Sequence, residues 1–330
     1  LELEEIGEFG LIGLLRRGHL TTGAGVRLGA GDDAALLEDE GGRLLVFTTD
    51  MLVEGVHFDL SFTDLSSLGY KALAVNLSDL AAMGGGGHSW AVVSLGLPDG
   101  FAVEGVEELY RGINEVGREF GCCLVGGDTV RSPRGLVLNV ALLGKVEEAN
   151  LLPRGGARPG DVVMVTGEIG ASALGLAALL AGRGGEGAFS RFVEKHLRPR
   201  PRLDLSAGLR TRGATAAIDI SDGLLRDLGH ICEESGLGAV VEYERIPLPR
   251  GTAEAAAELG ADLPSLVLAG GEDYELLLAV RQDGAEELEA AGAAVAVGRF
   301  REGEGIRVLN GAGREMKIAS SGWEHFRGQQ

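Results

Sequence analysis

Lysine is nearly missing from this chain. Only Lys71, Lys145, Lys195 and Lys317 occur among 330 residues, arginine carries most of the positive charge, and acids outnumber bases to leave a formal net charge of −19. A phosphate backbone requires a basic face, so nucleic acid is excluded as the main partner, and anionic membranes are disfavoured on the same ground. Cysteine is almost as scarce. Cys122, Cys123 and Cys232 are too few for a disulfide framework or a zinc cluster, and they read as small core residues in a reducing compartment. Long apolar runs are missing too: the longest, Ala171 to Ala181, falls far short of a membrane span. The first ten residues are acidic instead of basic-then-apolar, unlike a secretory leader. A soluble, cytoplasmic protein is therefore expected.

Several chemical signatures are lacking as well. No G-x-x-x-x-G-K-[ST] is present, so no P-loop lysine holds phosphates, and no G-x-G-x-x-G stands in a dinucleotide-binding context. The six histidines show no zinc spacing. Glycine is the opposite case. There are 55 glycines, well above the usual ~7%, yet no G-X-Y period makes the chain collagenous. They gather beside acids and at helix ends, where a positive φ or a close backbone approach is needed.

Those acids carry the functional signal. Asp32 and Asp33 in GAGDDAALL, Asp50 in VFTTDML, Asp79 in NLSDLAAMG, Asp128 in LVGGDTV, and Asp219 and Asp222 in IDISDGL each read as lying where an apolar strand runs out. Carboxylates gathered in one cleft repel one another unless cations neutralise them. Hard divalent ions with oxygen ligands, Mg²⁺ above all, do this and bring substrate phosphates with them. Ser221 or Asp222 could cap the helix that follows, but a cap leaves Asp219 unexplained. An EF-hand fails, because the twelfth position from Asp219 is His230 in place of glutamate. A tight turn accounts for Gly31-Asp32, but not for an apolar strand, Leu44 to Phe47, ending in Thr48, Thr49 and Asp50. Asp79 lies among apolar helical neighbours, where an unpartnered charge is costly.

Helix-like periodicity covers Glu8–Arg17, Leu65–Met83, Val103–Phe120, Ala171–Ala181, Leu203–Arg212, Leu224–Ser235 and Ala285–Ala291. Strand-like runs are Leu44–Thr49, Trp90–Leu97, Cys122–Val125, Leu136–Leu143, Val162–Thr166, Ala216–Ile220, Ala239–Tyr243, Glu275–Val280 and Ala294–Val297. Their alternation predicts layered α/β or α+β architecture. The length predicts two domains. The breaker-rich segment ANLLPRGGARPGD, from Ala149 to Asp161, divides the chain into 1–148 and 149–330 with acid clusters on both sides.

Taken in order, GEFGLI, GDDAALL, TTDMLVEGVHF, YKALAVNLSDLAAMG, GGDTVRS, RGGARPGD, IDISDGLLRDLGHI, GGEDYELL and the terminal GWEHF carry a family resemblance. The sequence resembles the thiamine-monophosphate kinases, members of the ATP-binding superfamily that includes aminoimidazole ribonucleotide synthetase. The segments run from about Gly7 to Phe326, nearly the whole chain. The resemblance implies an α+β fold, with an N-terminal sheet domain that pairs with its twin to form a dimeric barrel, followed by a C-terminal α/β domain. It implies transfer of the γ-phosphoryl group of ATP to thiamine monophosphate, with several Mg²⁺ ions. Metal ligands carry over to Asp33, Thr48, Thr49, Asp50, Asp79, Asp128, Asp219 and Asp222. Nucleotide contacts carry over to Tyr110, Gly127, Asp128, Arg154 and Ser221, and substrate contacts to His57, Glu272 and Trp323. No general base is implied, because the acceptor phosphate is already largely dianionic at neutral pH, its second pKa lying near ~6.

One departure stands out. The family commonly has G-A-x-P after Ala82-Met83, whereas this chain has Gly84 to Gly87 and then His88. Two other readings compete. One is a sister enzyme of the superfamily, such as an aminoimidazole ribonucleotide synthetase, a selenophosphate synthetase or a hydrogenase-maturation dehydratase. The selenium enzyme needs a reactive Cys or selenocysteine in an early glycine-rich loop, and no Cys precedes Cys122. The other is an ATP-binding scaffold without turnover, which the complete aspartate set argues against.

Overall fold

The structure is a computed structural model that describes residues 2–18, 22–39, 41–318 and 322. Its first half contains α1 (Leu3–Gly18), β1 (Val26–Leu28), β2 (Ala35–Glu38), β3 (Arg43–Val53), α2 (Leu65–Ala82), β4 (Ser89–Leu97), α3 (Val103–Phe120), β5 (Cys122–Arg131) and β6 (Val137–Glu147). These six strands form one sheet in the order β1-β2-β3-β6-β4-β5. Only β4 and β5 pair in parallel, and α3 supplies the crossover such a pair requires.

In β3 the side chains alternate, as a strand with two different faces must. Leu44, Val46, Thr48 and Leu52 are buried towards the helices, whereas Phe47 and Met51 are exposed on the other face. That outer face also shows Val92, and Val125 and Val130 are exposed on the edge strand β5.

Helix α2 is buried on nearly all sides, from Ser67 to Ser78 and from Leu80 to Ala82. A helix apolar all round belongs inside a protein. Asp64 caps its start by accepting a 2.8 Å hydrogen bond from the Ser67 N–H. Its contact with α3 is backbone-close: a Cβ on Gly112 would lie 1.8 Å from the Ser66 carbonyl oxygen, so only glycine fits there.

The second half contains β7 (Val162–Val165), α4 (Ala171–Leu180), α5 (Ser190–Leu197), α6 (Leu203–Ser206), β8 (Ala214–Asp219), α7 (Leu224–Ser235), β9 (Gly238–Glu242), α8 (Thr252–Leu259), α9 (Leu263–Leu268), β10 (Leu276–Val280), α10 (Gln282–Ala290), β11 (Val295–Arg301) and β12 (Ile306–Leu309). Its sheet runs β12-β9-β11-β7-β10-β8. β7, β8 and β10 are buried throughout, which explains their unbroken apolar runs. Ala81 and Ala82 of α2 pack in one cluster with Met164, Ala217, Leu276 and Leu278. Thus α2 belongs to the packing of both halves.

The structure corrects several element expectations. β3 continues past Thr49 to Val53, so Asp50 sits within a strand, opposite Val140 of β6. β5 continues past Val125 to Arg131, with Asp128 opposite Ser94. In both cases pairing with a long neighbour carries polar or glycine-rich residues into a sheet that their own propensity disfavours. The helix expected over Leu203–Arg212 stops at Ser206, and Gly208 and Gly213 beyond it have φ of 113° and 98°. The short elements β1, β2, α5, α8, α9 and β12 went unread, because runs this brief carry little periodic signal. Among the described residues no helix is long and apolar enough to cross a membrane.

Candidate active site between the two halves

The acids converge beside α2. Asp33 follows the turn before β2, Asp79 lies on α2, and Asp219 ends β8; one carboxylate oxygen from each lies within 4.8 Å of the others. Thr48 donates to Asp79 Oδ2 at 2.5 Å and to the Asp33 carbonyl at 3.3 Å. Asp50 lies on the same face of β3 as Thr48, and its charge bears on Asp79. Ser78 donates to Asp219 Oδ2 at 2.6 Å. The only nearby cation that pairs with these groups among the described residues is Arg154, in a turn at Arg154–Gly156. Its Nη2 lies 2.5 Å from Asp33 Oδ1 and its Nε 3.7 Å from Asp32 Oδ1.

Burial is the largest cause of the altered acidities, and neighbouring carboxylates add to it. Asp79 is pushed well above the usual range by burial, then by Asp50, Asp219 and Asp33. Asp219 rises to about 8 through burial and Asp33, and Asp50 to about 6 chiefly through burial. Asp32 rises to about 7 through burial and then Asp33, against the pull of Arg154. Asp33 is raised by burial despite the guanidinium. Burial lowers Arg154, but Asp33 and Asp32 outweigh it and hold the guanidinium above its ordinary value.

The residues fit a divalent ion. Asp33 Oδ2 is buried with no hydrogen-bond partner, an arrangement that needs an explanation in a folded protein. Its companions are hard oxygen donors on three separate segments, the set that Mg²⁺ takes.

A second acidic group has a different character. Asp222, Asp227 and His230 bring ligand atoms within 4.8 Å. However, Asp227 Oδ2 accepts N–H bonds from Ser221, Asp222 and Gly223 at 3.1, 3.2 and 3.1 Å. Asp227 therefore anchors the turn that enters α7, a role with no signal in the local sequence. Ser221 also accepts the Glu272 N–H at 2.8 Å through its carbonyl, which ties the Ser221–Asp222 turn to the Glu272 segment.

Glu272 is the centre of a second cluster of charged side chains. It has φ of 65°, and Tyr274 has φ of 49°, a conformation uncommon outside glycine. Next to it, Asp273 accepts from Gly170 N–H at 2.7 Å and Ser172 N–H at 3.0 Å, pinning the segment to the start of α4. Lys71 and His196, both missed in the sequence, lie 2.7 and 3.2 Å from the Glu272 carboxylate. His57 follows β3, where its Nδ1 accepts the Val53 N–H at 3.1 Å.

Other expected residues lie apart from this cluster. Thr49 faces the outer side of the sheet, donating to the Val140 carbonyl and accepting from Asn139. Asp128 is exposed on β5, and the backbone of Gly127 lies so close to β4 that a Cβ would meet the Val93 carbonyl oxygen at 2.0 Å. Tyr110 is half-buried on α3 against the first core. Trp323 lies outside the described residues. Ser78 was missed although it adjoins Asp79, because a serine inside a helix carries no signal of a partner in the other half.

Residues 31–146 match the N-terminal domain of AIR synthase related proteins, and residues 158–309 match the C-terminal domain. The thiamine-monophosphate kinase of Aquifex aeolicus is 36% identical over 327 residues, covering 99% of this chain and all of that protein. The chain belongs to the thiamine-monophosphate kinase family. A solved structure of AaThiL complexed with AMPPCP and TMP superposes with a TM-score of 0.87 at 35% identity, covering 98% of this chain and 99% of that one. The hydrogenase maturation protein HypE in complex with ATP shares the fold, at a TM-score of 0.68 and 19% identity, over 87% of this chain and 88% of its own. The family's expected α+β architecture, with one mixed sheet and its helices in each half, is the one observed.

Proposed function

We propose that this protein transfers the γ-phosphoryl group of ATP directly to the phosphate of thiamine monophosphate, giving thiamine diphosphate and ADP. The observation that carries the reading is the meeting of Asp33, Asp79 and Asp219 across the two halves, with Asp33 Oδ2 left unpartnered, in a chain of this family. Asp33, Asp79 and Asp219, with Asp50 and Thr48 beside them, would hold Mg²⁺, which would neutralise phosphate charge when bound. We assign Asp222, and Thr49 and Asp128 on the other face of the first sheet, to further Mg²⁺ ions.

The chain's own residues do the positioning, which dominates phosphoryl transfer. Arg154 fixes the Asp32–Asp33 turn and presents its guanidinium to nucleotide phosphate. The Ser221–Asp222 turn, whose N–H groups are held by Asp227, offers the Ser221 hydroxyl to the same phosphates. Tyr110 and Gly127 complete the nucleotide contacts. Glu272, His57 and Trp323 hold the organic part of thiamine monophosphate. No side chain has to remove a proton, because the acceptor phosphate is largely dianionic at neutral pH.

An ADP-release assay tests this. With Mg²⁺, thiamine monophosphate should release ADP while thiamine and aminoimidazole precursors should not, and chelation should stop the reaction. ADP release with an aminoimidazole precursor alone would move the chain to a sister activity of the superfamily.

We also propose a homodimer in the cytoplasm, with the division at 148/149 separating an ATP-binding, dimerising first domain from the second. The outer face of the first sheet supports the dimer: Phe47, Met51 and Val92 are 47%, 54% and 38% exposed, an apolar patch of the kind that marks an interface. Phe47→Glu should halve the mass seen by analytical ultracentrifugation. An unchanged mass would place the interface elsewhere.

A further inference from the structure

Besides packing Ala81 and Ala82 against the second sheet, helix α2 meets the second half through charged and hydroxyl side chains. Ser78 and Asp79 meet the acid cluster, while Lys71, two turns earlier, lies 2.7 Å from Glu272 Oε1. Residues seven and eight apart share a helix face, and the rise between them is about 12 Å. One rigid, buried helix therefore sets the spacing between the metal-binding end of the cleft and its organic-substrate end.

We propose that Lys71 is a positioning residue, which holds Glu272 as an oriented carboxylate for donor groups on the organic part of the acceptor substrate. The inference rests on the function proposed above. The side chain of Lys71 is only 3% exposed, whereas that of Glu272 is 25% exposed, so the lysine is too enclosed to meet a ligand and the glutamate is not. The second Glu272 oxygen lies 3.2 Å from His196 Nδ1, which in turn lies 3.0 Å from Ser172 Oγ. Burial, then Lys71, pushes His196 down to about 4, so the ring is neutral and Lys71 is the charged partner. Burial alone would raise Glu272; Lys71 outweighs it and keeps the carboxyl below its ordinary value. The left-handed backbone at Glu272 points to the same end, since a residue held at such a φ needs its surroundings to keep it there.

The test is calorimetric binding of thiamine monophosphate and of a non-hydrolysable ATP analogue to the full chain. Lys71→Met should weaken thiamine monophosphate by about tenfold or more, the scale of a charged hydrogen bond, and leave the nucleotide analogue unchanged. In a Glu272→Gln background, adding Lys71→Met should cost no more than about a further twofold, because groups acting as one unit are non-additive. The double variant removes both buried charges together, so it supplies the comparison if Lys71→Met alone does not fold. Unchanged affinity in Lys71→Met, equal loss for both ligands, or full additivity with Glu272→Gln would overturn the assignment. A wild-type chain that neither binds nor phosphorylates thiamine monophosphate would instead overturn the proposed function, and this inference with it.

Discussion

Asp79→Asn should lower turnover by about 10²–10³-fold, the usual scale for losing one group that stabilises charge in the transition state, while the chain stays folded. Asp79 is central because it accepts from Thr48 and faces Asp50, Asp219 and Asp33. An amide still accepts the Thr48 hydroxyl but contributes no charge to a cation. Burial and three neighbouring carboxylates make Asp79 an unfavourable place for a negative charge in the metal-free chain. Removing the carboxylate should therefore leave the metal-free melting temperature equal or higher, and should shrink the rise that Mg²⁺ produces in the wild type. ADP release and thermal melting with and without Mg²⁺ read both effects. A variant that melts several degrees lower without metal would show that Asp79 is structural.

The second large effect concerns stability. Arg154→Ala should destabilise the metal-free chain by about 3–5 kcal/mol, the cost of breaking a buried ion pair from one side. Its guanidinium is paired with Asp33, whose side chain is 1% exposed, and its Nε lies 3.7 Å from Asp32 Oδ1. Mg²⁺ should reduce that loss, because a bound cation relieves the same carboxylates. Urea unfolding in chelator and in millimolar Mg²⁺ makes the comparison. An equal loss in both conditions would separate Arg154 from the metal-binding acids. The variant should also bind nucleotide more weakly, since Arg154 sits at the edge of the same cluster.

These two residues show how unevenly the site was legible. Asp79 could be singled out because a charge among apolar helical neighbours demands a partner, and the partners are there. Asp50 stands out in the sequence as an oxygen donor after two threonines, but the strand it was expected to end runs on to Val53. Its strand position decides its role: Thr48 and Asp50 share the helix-facing side, while Thr49 between them faces the other way. A row of oxygen-bearing residues looks like a single ligand set until strand alternation divides it. Lys71, Ser78, His196 and Asp227 were not legible at all. Each is an ordinary residue on a helix, and its importance comes from what lies opposite.

The sequence by itself determined the kind of chemistry, the order of the main elements and the family, because glycine-flanked acids, apolar periodicity and ordered motifs are local properties. Only the tertiary structure decided which carboxylates meet. Ser78 and Asp219 are 141 residues apart, and Arg154 and Asp33 are 121 apart, so no local pattern links them. Ser78 meets Asp219 because a mostly apolar helix must be buried, and burying α2 between the two halves puts its few polar side chains in contact with both.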